Sequence, residues 1–142
     1  MSEITELTSE EQWRDALPVL CELRPDLEIA ETLNARESLL TRGYKLYGLV
    51  QNGRFVCVAG VVLHPHITRG NDFWVHDLAT LPEVRSQGHG ETMMRFLEGE
   101  AQALGCSRLF VHTRLIRDRA QNFYETHLSY ERYAVVFQKD FK

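Results

Sequence analysis

"RSQGHGETMM", Arg85 to Met94, sets two glycines one residue apart between an extended-looking run and a helical one. Glycine at such a junction serves either a tight turn or a bulky ligand pressed against the main chain. Upstream, "FWVHDLAT" (73–80) reads as a strand. Downstream, Met93, Met94, Leu97, Ala101 and Leu104 form one apolar stripe, which predicts a helix over 88–104 with Gly105 as its natural C-terminal cap. "RLFVHT" (108–113) reads as a short buried strand. Strand, helix, strand in this order predicts two parallel strands joined by a right-handed crossover.

The flanking sequence adds antiparallel neighbours. "YKLYGLV" and "RFVCVAGVVL" enclose Gln51-Asn52-Gly53, a strong hairpin signal. "HPHITRGND" (64–72) reads as a loop before the 73–80 strand. Toward the N-terminus, residues 2–7 read as a short first strand, and Ser9-Glu10-Glu11-Gln12 as a capping box. Trp13, Ala16, Leu17 and Leu20 then follow a helical stripe until Arg24-Pro25 breaks it. A second helix is predicted over 27–41, ended by Gly43. Past the crossover, a helix is predicted over 118–127, and "YAVVFQKDF" (133–141) reads as a closing strand. The sum is an α/β fold, β-α-α-β-β-β-α-β-α-β, with a mixed, mainly antiparallel sheet flanked by helices.

The chain of 142 residues suits one domain spanning 1–142. A net charge of -4 argues against a general nucleic-acid binder. Cys21, Cys57 and Cys106 are far apart and odd in number, so they point to neither a disulfide framework nor a zinc knuckle. With no signal peptide and no long apolar run, the cytoplasm is the expected compartment and no membrane partner is expected.

The turn into the 88–104 helix offers open backbone amides at a positively polarised end, a setting suited to phosphate. Gly88 and Gly90 allow close approach, and Arg85 adds a cation. A Walker loop would need Gly-Lys-Ser/Thr, which is absent. A dinucleotide fingerprint would need a glycine where Met93 stands. Coenzyme A pyrophosphate and a bare, glycine-eased turn both remain open on these residues.

Residues 73–130 resemble the GCN5-related N-acetyltransferase (GNAT) family, in particular its small bacterial members. The resemblance rests on Arg85-Ser86-Gln87-Gly88-His89-Gly90 opening a helix, and on Ala120, Phe123, Tyr124 and Glu125 in "AQNFYETHLSY". Leu23-Arg24-Pro25 and Asp77-Leu78-Ala79-Thr80 are similar to two further stretches of those members. Two departures stand out: Ser129-Tyr130 replaces a Gly-Phe pair, and Arg117 replaces an asparagine.

The resemblance implies transfer of an acetyl group from acetyl-CoA to a primary amine of a small molecule or peptide, by direct attack in a ternary complex. It implies pyrophosphate binding by Arg85, Ser86, Gln87, Gly88, His89, Gly90, Glu91 and Thr92, and pantetheine pairing with the main chain of Leu78, Ala79 and Thr80. Tyr124 aligns with the usual general acid. Asp77 matches an acidic position and is the candidate base, or else a buried partner for Arg114 or Arg117. His76, which strand alternation sends to the opposite face, is the runner-up base. The acceptor is expected between Arg24 and the sheet near His112 and Arg114. The six histidines match no ligand spacing, so no metal is expected. A homodimer is compatible with the resemblance. The alternative function is a non-catalytic acyl-CoA sensor or an interaction module on the same fold.

Overall fold

A computed structural model describes residues 3–141. They divide into two compact units, one reaching to His112 and one beginning at Thr113.

The first unit is a five-stranded sheet in the order β1-β2-β3-β4-β5. Strand β1 (Glu3–Leu7) pairs antiparallel with β2 (Tyr44–Gln51), β2 with β3 (Arg54–His66), and β3 with β4 (Gly70–Thr80). Only β5 (Leu109–Val111) runs parallel to its neighbour β4. This is the mixed, mainly antiparallel sheet that the sequence predicts. The residue at position 2 of the expected first strand lies outside the described residues.

Helix α1 (Glu10–Leu20) starts as its sequence dictates. Gln12 N–H donates to Ser9 Oγ at 3.1 Å, and Ser9 N–H donates to Gln12 Oε1 at 3.1 Å. Trp13, Ala16, Leu17 and Leu20 are buried, and they share a cluster with Leu7, Leu46, Val58 and Ala79. Helix α4 (His89–Ala103) buries Met93, Met94, Leu97 and Ala101, and its Phe96 meets Tyr47 edge-on at 5.8 Å. Leu46 and Tyr47 are consecutive on β2 and so point to opposite faces. Hence α1 and α4 cover the two sides of the sheet.

The structure corrects three readings. The helix predicted over 27–41 is two short helices, α2 (Ile29–Asn34) and α3 (Arg36–Thr41), divided at Ala35, whose ψ of -1° leaves the helical range. The loop predicted over 64–72 is mostly strand, because β3 continues to His66 and β4 starts at Gly70. Arg69 closes the short turn by a bidentate pair with Asp72, at 2.7 and 2.9 Å. The closing strand over 133–141 does not form: these residues carry no strand ladder and are exposed.

The second unit contains α5 (Asp118–Asn122), followed by a wider helical turn, Phe123–His127. Gln121 Nε2 donates to the carbonyls of Arg114 and Leu115, at 3.1 and 2.9 Å, and holds the segment before α5. Arg132 grips Glu125 through Nε and Nη2, at 2.6 and 2.7 Å.

Candidate active site

The site is built on β4, and its geometry starts with a register shift. Gly60 pairs with Asp77 while Val61 pairs with Val75, so β4 carries one extra residue, His76. Such a bulge bends the strand and interrupts its alternation. The Asp77 carboxylate reaches Tyr44, whose hydroxyl donates to Oδ2 at 3.3 Å. Both groups lie over Gly60: a Cβ there would meet the Tyr44 hydroxyl and come within 3.1 Å of Asp77 Oδ2, so this position requires glycine. His76 Nε2 lies 3.3 Å from His64 Nε2. His64 is four residues beyond Gly60 on β3 and therefore shares its face. His76 and Asp77 thus serve one face, which corrects the expectation from plain strand alternation.

Asp77 is 7% exposed and is fully engaged. Arg24 Nε donates to its Oδ1, and Tyr44 donates to its Oδ2. The sequence offered Arg114 or Arg117 as ionic partners, but the structure pairs Asp77 with Arg24. Arg24, expected in acceptor binding, holds this buried carboxylate while its own side chain stays half exposed. Burial and the Asp77 charge push the Tyr44 phenol well above its ordinary range, so it remains a donor.

Around His76 stands a group that the sequence left scattered. His112, just past β5, meets His76 edge-on at 5.2 Å between ring centres. Trp74 stacks on Phe110 at 4.8 Å and lies 6.4 Å from His76. Partial burial, with His112 and His64 beside it, lowers the His76 pKa below the usual histidine range, and Asp77 opposes that shift. His76 therefore favours the neutral form, with a lone pair for a proton. Among the described residues, no three imidazole, thiol or carboxylate groups are placed to hold a metal ion. Cys57 and Cys106 are buried, and burial pushes the Cys57 thiol up to about 11, which leaves it an inert packing group.

The other half of the site is backbone. Strand β5 pairs with β4 only from Phe73 to Val75. From His76 to Thr80, β4 has β3 on one side and, among the described residues, no strand on the other. This edge includes Leu78, Ala79 and Thr80. It leads through a short turn, Pro82–Val84, to α4, whose N-cap is Gly88 at φ +85°. Arg85, Ser86 and Gln87 are exposed on the approach, and Gly90, Glu91 and Thr92 lie in the first helical turn. Thr92 Oγ1 donates back to the Gly88 carbonyl at 3.0 Å. His89 is buried, and among the described residues its Nε2 has no hydrogen-bond partner.

Tyr124 and Arg114 belong to the second unit. Tyr124 stacks with Tyr130 at 6.2 Å and is partly buried, whereas Arg114 is exposed.

The sequence of residues 6–130 matches the model of the acetyltransferase (GNAT) family. The chain belongs to the GNAT family. Among curated proteins it is 27% identical to an uncharacterized N-acetyltransferase, YhdJ, of Bacillus subtilis (strain 168), over 98% of this chain and 99% of that one. Two solved structures share the fold. A Trypanosoma brucei acetyltransferase is 23% identical, with a TM-score of 0.78 and 99% of each chain covered. The aminoglycoside N-acetyltransferase AAC(6')-Iy in complex with CoA is 17% identical, with a TM-score of 0.81 over 100% of this chain and 96% of that one. This GNAT protein is thus an N-acetyltransferase, and the residues around β4 are its candidate catalytic groups.

Proposed function

We propose that the enzyme moves the acetyl group of acetyl-CoA to a primary amine of a small molecule or peptide, by direct attack in a ternary complex. One observation carries this reading: the open β4 edge from His76 to Thr80 runs into the N-terminus of α4. An extended pantetheine arm has amides that can pair with such an edge, as an added strand would. Its pyrophosphate suits the helix end, where the first amides have no intrahelical partner. A CoA complex of a fold relative supports the choice of ligand.

The chemistry then divides among named groups. The acceptor enters as an ammonium and must lose a proton before its lone pair can attack. We assign that proton to His76, whose neutral imidazole has the needed lone pair. Asp77 is engaged by Arg24 and Tyr44, so it acts as a positioning and electrostatic group rather than as the base. The new C–N bond forms as the thioester C–S bond breaks. A main-chain N–H on the open edge of β4 would stabilise the negative charge developing on the carbonyl oxygen. Tyr124 would hydrogen-bond the departing thiolate and supply its proton.

The test is thiol release from acetyl-CoA across a panel of primary amines, with calorimetry of CoA binding. Amine-dependent release is expected. CoA binding with no release on any amine would overturn the catalytic reading in favour of a sensor.

A further inference from the structure

Between α1, the α2–α3 segment and the sheet lies a cavity of about 190 Å³. Leu17 and Leu20 of α1 line it, with Leu27 and Leu39 nearer solvent, and the Arg24–Asp77 pair forms its polar end. Protein interiors pack at crystal density and leave few voids larger than a water. An apolar void of about 150 Å³ stays dry and takes a benzene-sized guest. This space is of similar size, but it is partly open and has a charged end, and its wall includes Asp77, the chain neighbour of His76.

We propose that the cavity receives the side chain of the acceptor, so that the amine acetylated here is one carried beside a compact apolar group, aliphatic or aromatic. The proposal rests on the acetyltransferase reading and names its substrate class. Charge supports the choice. The carboxylate at the polar end is held by a guanidinium and a phenol, so a second charged group entering there would displace a made ion pair. A neutral apolar tail leaves that pair intact and replaces water or void with contacts. The roof can yield to admit it, since neither α2 nor α3 contributes a fully buried residue.

The experiment compares isopentylamine with ethanolamine at saturating acetyl-CoA, and follows the methyl signals of Leu17, Leu20 and Leu39 during isopentylamine titration. The expected result is a kcat/KM ratio of at least about tenfold in favour of isopentylamine, with shifts at those methyls. Leu39→Trp, which fills the cavity from its solvent side, should bring the ratio near one. Thr32→Phe lines the same space and serves if the first variant does not fold. Equal turnover of the two amines, a ratio unchanged in a folded cavity-filling variant, or unshifted methyls would each overturn the proposal. Methyl shifts without thiol release would leave the cavity assignment standing and count against acetyl transfer instead.

Discussion

At the residue scale, the site turns on which group takes the amine proton. If His76 is the base, the acid limb of the kcat/KM profile falls below the ordinary histidine value of about 6.5, because burial, His112 and His64 lower its pKa. The charged groups around it decide the direction of each variant. Replacing His112 with Gln removes a lowering influence, so the limb moves to higher pH. Asp77→Asn removes the raising influence and leaves Arg24, which lowers, so the limb moves to lower pH. His76→Gln should cost about a hundredfold or more in kcat. If Asp77 were itself the base, Asp77→Asn would abolish turnover near neutrality rather than displace the limb. Stability follows the same sign. A folded pKa below the unfolded one means that the unfolded chain binds more protons between the two values. The His76 contribution is therefore full above about 6.5 and is lost as pH falls through the folded value, which melting curves across that window report. For Tyr124→Phe the expectation is a fall in kcat of about a hundredfold with CoA affinity and melting temperature retained, measured by turnover beside calorimetry. Near-normal turnover would make the residue a packing group in its stack with Tyr130.

At the element scale, the decisive piece is the start of α4. Gly88 sits at φ +85°, and a Cβ there would meet nothing within 4 Å, so its glycine is required by backbone conformation rather than by crowding in the free protein. Gly90 lies inside the helix and is not among the positive-φ residues. The two positions therefore separate strain from ligand approach. Gly88→Val should lower the melting temperature and CoA affinity together. Gly90→Val should abolish CoA affinity with little loss of stability, and unchanged calorimetric affinity in that folded variant would remove the turn from the CoA site. Local signals such as Ser9…Gln12, Asn52-Gly53 and the α4 stripe were legible in the sequence because each is complete within a few residues. The Arg24–Asp77 pair was not, since its partners stand 53 residues apart and nothing local selects one arginine among several. The bulge at His76 was hidden for a related reason. Register belongs to a pair of strands, and "FWVHDLAT" alone shows only alternation. The convergence of His64, His76 and His112 follows from that register, so the sequence showed the histidines without their meeting.

At the scale of the whole molecule, the C-terminal segment sets the expectation. Its composition is that of a strand, yet Val135, Val136, Phe137 and Phe141 are 71%, 71%, 89% and 91% exposed. A run of β-branched and aromatic side chains outside any ladder favours pairing with a further chain. A net charge of only -4 opposes such contact weakly. The chain should accordingly self-associate as concentration rises, in keeping with the homodimer that the family resemblance admits. Sedimentation velocity over a wide concentration range measures this directly. Val135→Lys and Phe137→Lys replace side chains already in solvent, so each should leave the unfolding free energy of the monomer within about half a kcal/mol of the wild-type value while shifting the distribution toward monomer. A wild-type chain that stays monomeric at all concentrations, or variants that associate as before, would show that this segment does not drive assembly.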